Sequence, residues 1–186
     1  MVQITSRKEL KDWLKNKPAD FAQVIAARAA LRVLPYAFLQ RIPDEWVTSH
    51  SLTLFRALVI SWAACNFPAY NMRRAAAAAA NAAYTFRAAA DEDYTIHAVA
   101  EAAASASNAA SSVDYAYNVR AVRTVSAGAR IGSIDWGNLN QDCVSLISEG
   151  DPASASRRLT REPLWPAGEP EGWSETWVSA VGRLAA

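Results

Sequence analysis

Residues 75–110 read AAAAAANAAYTFRAAADEDYTIHAVAEAAASASNAA, and nineteen of these thirty-six positions are alanine. Alanine has the highest intrinsic helix propensity because its methyl loses no rotamer freedom on folding. Each methyl buries little area, so at about 25 cal/mol per Å² an alanine face contributes less hydrophobic stabilisation than a leucine face. Its advantage is geometric: small side chains let helix axes approach toward the short end of the usual ~8–10 Å separation. The stretch therefore predicts closely packed helices at the centre of the fold, with Tyr84, Phe86, Tyr94, Ile96, Tyr115 and Tyr117 supplying bulk. Those aromatics argue against a disordered low-complexity tract, in which they are depleted.

Working outward, Asn71 is placed to cap a helix over 71–90, and Asp91 and Asp93 mark a turn before a second helix over 92–107. The cluster SASNAASS at 105–112 reads as an interruption, because serine and asparagine compete for backbone hydrogen bonds. Ser111 and Asp114 then start a third helix, ended by Gly128 as a left-handed cap. Three alanine-rich helices joined by short polar turns predict antiparallel hairpins stacked side by side. No fixed repeat length supports a regular solenoid.

The flanks are helical as well. Ser6 and Glu9 fit a capping box for a helix over 7–16 that turns Leu10, Trp13 and Leu14 inward. Pro18 suits the first turn of a second helix, whose face carries Phe21, Val24, Ile25, Leu31 and Leu34 until Pro35 kinks or ends it. Arg28 and Arg32 on that helix read as solvated charges, with a paired anion-binding role as the sharper alternative. Leu52, Phe55, Val59 and Trp62 recur at helical spacing and predict a core helix over 49–66, closed by Pro68. Beyond the alanine region, Ser133 opens a helix with Trp136, Leu139, Cys143, Leu146 and Ile147, and Asp151–Pro152 caps a short one ending near Leu159. REPLWPAGEPEGW is a proline-rich loop, after which Trp173, Trp177, Val181 and Leu184 form a terminal apolar stripe. The expected class is all-α: a single domain over 1–186, with N-terminal helices in 1–70, alanine-rich central helices in 71–130, and C-terminal helices with the Pro/Trp loop in 131–186.

A chain of 186 residues is long enough for one domain with a real core. The formal net charge of +1 argues against a dedicated nucleic-acid surface, while leaving room for a local basic patch. Cys65 and Cys143 stand far apart with no CxxC partner, and both read as small buried hydrophobes rather than metal or redox ligands. The N-terminus lacks an apolar signal region and no eighteen-residue apolar window occurs, so the expected setting is cytoplasmic, with no membrane partner. No Walker loop, GxGxxG or GxSxG is present, so neither a cofactor nor a nucleophilic catalyst is expected.

Three constellations carry chemistry. Asp93, His97 and Glu101 share one helix face at i, i+4 and i+8, and a carboxylate–imidazole–carboxylate stripe could contribute to a metal site. Such a site needs ligands from another helix, no second Glu-x-x-His occurs, and a solvated acidic face is the plainer reading. Arg120, Arg123 and Arg130 form a basic stripe suited to an acidic partner, because arginine's planar fork matches carboxylate and phosphate; the plainer reading is a solvated helix end. Trp165, Trp173 and Trp177 either clamp the C-terminal segment onto the bundle or leave an apolar patch that docks a partner.

The segment IAARAALRVLP at 25–35, the alanine tract, and Leu164, Trp165 and Pro166 followed by Trp173 and Trp177 together resemble a group of uncharacterised alanine-rich helical proteins of proteobacteria. The resemblance spans nearly the whole chain and implies a bacterial helical protein without an attached activity. Some members continue with a segment rich in tryptophan, tyrosine and carboxylates where this chain stops at Ala186, so the chain reads as free-standing or as the N-terminal part of a larger protein. In composition, the alanine and tyrosine pattern is also similar to immunity-type proteins that neutralise toxins. The sequence thus points to a non-catalytic helical protein–protein interaction module. A toxin-neutralising protein and a metal-dependent enzyme on the Asp93, His97, Glu101 face are the alternatives. No feature fixes the oligomeric state or the partner's identity.

Overall fold

A computed structural model describes residues 3–36, 44–67, 69–89, 94–111, 116–132, 135–148, 151–165, 168–169, 174–175 and 178, with the main chain alone at 44–50, 86, 88, 89 and 94. The described residues contain eight helices and no strand. These are α1 (Arg7–Leu14), α2 (Ala19–Val33), α3 (Asp44–Asn66), α4 (Arg73–Ala89), α5 (Tyr94–Ser111), α6 (Ala116–Arg130), α7 (Trp136–Ile147) and α8 (Pro152–Leu159). They pack into a multi-helix bundle, as the alanine tract predicts.

The hub is α5. It packs against α4 and α6, its neighbours in sequence, and also against α2 and α3. Connections of four residues between helices in extensive contact make α4–α5 and α5–α6 antiparallel hairpins. A helix surrounded on so many sides has no solvent face, and Ala98, Ala100, Ala102, Ala103, Ala104, Ala106 and Ala109 are all buried. The serines expected to interrupt this helix do not: α5 runs through the cluster to Ser111, with Ser105 and Ser107 fully buried. Tertiary packing decides against their local competition for the backbone. Ser107 Oγ donates to the Ala57 carbonyl of α3 at 2.8 Å, and Ser61 Oγ donates to the same oxygen at 2.8 Å. The two hydroxyls lie 3.1 Å apart, a contact possible only where side chains this small let α3 and α5 come close.

That close approach rotates α3 away from its expected face. Leu52, Val59 and Trp62 are exposed (61%, 58% and 36%) rather than core. Leu54, Ala57, Leu58 and Ser61 are buried instead, at the i, i+3, i+4, i+7 spacing of one helix face. On the inward face Ala57 and Ser61 make the close contact with Ser107 of α5 and Leu54 and Leu58 fill the space beside it, while Trp62 turns outward and stacks edge to face with Phe67 at 6.3 Å.

Helix ends follow local chemistry. Ser6 Oγ accepts from the Glu9 N–H at 3.3 Å, and Glu9 Oε2 reaches back to the Thr5 N–H at 2.7 Å, a capping box displaced by one residue. Asn71 Oδ1 accepts from Arg73 N at 3.3 Å, Asp135 accepts from Gly137 N at 2.9 Å, and Asp151 accepts from Ser154 N at 2.9 Å. Gly128 does not end α6 but lies buried within it. The left-handed residue is Gly132, with φ +72°, two positions past the last helical residue.

The largest correction concerns Arg28 and Arg32. Both are buried, at 2% and 1% exposure, and both grip Asp142 of α7, itself 1% exposed. Arg32 Nη1 donates to Asp142 Oδ2 at 2.7 Å, and Arg28 Nε donates to Oδ1 at 3.1 Å. One carboxylate cannot neutralise two cations. The remaining donors are taken by main-chain carbonyls: Leu159 at 2.6 Å, Glu162 at 2.9 Å and Pro163 at 2.7 Å from Arg28, and Leu164 at 2.8 Å from Arg32. Burial lowers the Arg28 pKa, and Asp142 opposes that shift. The pair thereby fastens the chain after α8 onto α2.

Candidate functional site

Glu101 stands in the middle of α5, flanked by Ala100 and Ala102, and is about nine-tenths buried. A carboxylate surrounded by methyls needs cationic partners, and neighbouring helices supply them. Arg130, in the last turn of α6, donates from Nη2 to Glu101 Oε2. Arg123 Nε of α6 lies 3.7 Å from Glu101 Oε1, and Arg87 Nη1 of α4 lies 3.9 Å from the same oxygen. The spacing of 123 and 130, two helical turns, puts both arginines on one face of α6.

Glu101, Arg123 and Arg130 border an open cleft of about 520 Å³, lined also by Arg7, Ser126, Ala129 and Trp136. Arg7 enters from the start of α1, and Trp136, half-buried, begins α7 and walls one side. Arg123 is 56% exposed and Arg130 is 40% exposed, so each guanidinium is anchored near Glu101 while remaining open to solvent. Among the described residues Arg7 has no ion-pair partner. The acids closest in sequence to the lining residues are engaged elsewhere, Glu9 with Thr5 and Asp135 with the main chain of α7. Among the described residues the cleft lining thus carries a positive excess, in a chain whose overall charge is +1.

The structure brings together two of the three basic-stripe residues expected from sequence. Arg120 does not line the cleft, and its half-buried side chain has an Nε without a hydrogen-bond acceptor among the described residues. Of the candidate metal ligands, Asp93 lies outside the described residues. His97 Nε2 accepts from Arg87 Nε at 3.0 Å, which places the imidazole proton on Nδ1. Glu101 faces arginines rather than forming part of a solvated acidic face. Among the described residues no group of three His, Cys, Asp or Glu side chains could hold a metal ion. Of the tryptophans, Trp165 is half-buried beside the carbonyl that Arg32 holds, while Trp173 and Trp177 lie outside the described residues.

Cys65 and Cys143 are free thiols; Cys143 is fully buried, and Cys65 is half-buried with its pKa pushed up to about 12 by burial and then by Asp20. Neither is poised as a nucleophile. No helix among the described residues is long and apolar enough to cross a membrane.

Arg7, Arg87 and Trp136 were not singled out by sequence. The signal for a cationic partner was present: a lone carboxylate between alanines implies one, but its identity depends on how α4 and α6 approach. Compared with protein-family models, with curated proteins and with solved structures, the chain matches none of them.

Proposed function

We propose that the protein is a non-catalytic helical interaction module that receives an acidic segment of a partner protein in the cleft bounded by α1, α5, α6 and α7. The observation that carries this reading is the charge imbalance around Glu101: Arg87, Arg123 and Arg130 converge on one carboxylate, and Arg7 lines the same cleft. Arginine forks offer paired donors matched to carboxylates, and Trp136 adds a flat apolar wall of the kind enriched at binding hot spots. A closely packed, buried hub supports a rigid platform better than a reaction centre. A metal-dependent activity at the same face draws less support, since His97 Nε2 and Glu101 Oε2 already accept from arginine.

The test is binding of a fluorescently labelled hexaglutamate peptide, followed by anisotropy at low and high salt. Wild-type protein binds it in a salt-sensitive way, and Arg123→Glu weakens binding ten-fold or more. Absence of binding, or binding indifferent to Arg123→Glu, would overturn the reading. A DNA duplex that binds more tightly than the peptide would overturn it in favour of a nucleic-acid partner.

A further inference from the structure

We infer that Glu101 is a built-in competitor for the ligand: it occupies the arginine donors of the cleft in the free protein, and the partner's carboxylate displaces it from Arg130 on binding. This rests on the reading of the cleft as an acidic-segment site and goes further, by assigning Glu101 a role in setting affinity.

The geometry points this way for three reasons. The first is stoichiometry. One guanidinium neutralises one carboxylate, yet three guanidiniums are gathered here. The second is the quality of the contacts. Of the three arginines, Arg130 hydrogen-bonds to Glu101, whereas Arg123 and Arg87 stop at 3.7 and 3.9 Å, beyond hydrogen-bond distance but well inside electrostatic range. Their forks are held in place by the charge of Glu101 without being used up by it. The third is access. Arg123 and Arg130 are 56% and 40% exposed and line the cleft with Ser126 and Trp136, so a second carboxylate can reach them from solvent.

An incoming carboxylate therefore meets prearranged donors together with one fixed negative charge. Glu101 aligns the donors and at the same time repels the ligand and holds Arg130. On binding, Arg130 passes from Glu101 to the ligand, while Glu101 keeps Arg87, which is anchored separately through its Nε bond to His97. The buried carboxylate is then never left without a cation. A Glu101 that served only to tie α4, α5 and α6 together would behave differently, because its removal would loosen the arginines and weaken ligand binding.

The experiment measures hexaglutamate affinity and thermal midpoint for wild type, Glu101→Gln, Glu101→Asp and Arg123→Glu. Displacement predicts that Glu101→Gln binds the peptide at least five-fold more tightly than wild type, even where its midpoint falls. Glu101→Asp, which keeps the charge on a shorter stem, tightens binding about two-fold and serves as the test if the glutamine variant does not fold. Glu101 variants that bind no better than wild type, while Arg123→Glu still weakens binding ten-fold or more, would overturn displacement and leave the cleft in place. If no protein binds the peptide in an Arg123-dependent manner, the acidic-segment site fails as well.

Discussion

Arg32 and Asp142 face each other across the bundle in a nearly solvent-free contact, with Nη1 2.7 Å from Oδ2 and Nη2 3.1 Å from Oδ1. This two-pronged bond joins α2 to α7, and Arg28 completes it from one helical turn earlier. Two residues more than a hundred positions from Asp142 thus hold α7 and the chain at 159–164 against α2.

Asp142→Asn removes the buried carboxylate that both guanidiniums grip, and breaking a buried pair in this way costs about 3–5 kcal/mol. Urea unfolding should show that loss in the transition midpoint, with faster amide exchange at 159–162 and 164–165 as Arg28 and Arg32 release the carbonyls they hold. A loss within about 0.5 kcal/mol, typical of a surface substitution, would mean that the network does not hold the fold together.

Close packing around α5 gives a second contrast. Ala102 is fully buried, and Ala102→Leu forces extra carbons into a space shaped for a methyl, at a cost of about 1–3 kcal/mol. Leu52→Ala, by contrast, removes an exposed side chain and should change stability by no more than about 0.5 kcal/mol. Thermal midpoints of the two variants check the rotated face of α3 directly. The opposite ranking would restore Leu52 to the core.

The alanine tract made the class of fold and the central helices legible in the sequence, because alanine's propensity and its small volume point to the same outcome. The face of α3 was not legible. Leu52, Val59 and Trp62 form a good apolar stripe, but Leu54 and Leu58 form another, and which of the two turns inward is decided where Ala57 and Ser61 meet Ser107 of α5 rather than by α3 alone. Arg28 and Arg32 were misleading for a related reason: spacing alone does not separate a solvated pair from a buried one until Asp142, on a distant helix, is in position. Within the candidate site, Arg123 and Arg130 were visible as a stripe on α6. Arg7, Arg87 and Trp136 join them only through tertiary packing.

Acid stability should show the helix caps. Asp151 is held below the ordinary aspartate value of 3.8, chiefly by its hydrogen bonds with Ser154. A carboxylate with a depressed folded-state pKa contributes stability that is present above the unfolded value and lost as pH falls through the folded one. Asp151→Asn keeps an acceptor at the cap but cannot titrate, so its stability should fall less steeply than that of wild type below about pH 4. Parallel curves for the two proteins over that range would show that the cap charge has no part in acid unfolding.

The most direct measurement is a hexaglutamate titration followed by NMR at the arginine Nε–H and tryptophan indole N–H signals, assigned by single substitutions. Binding in the cleft shifts the signals of Arg123, Arg130 and Trp136, and leaves those of Arg28 and Arg32, fastened to Asp142, where they were. Shifts confined to other residues, or none at peptide concentrations that saturate the anisotropy signal, would contradict a docking site built around Glu101.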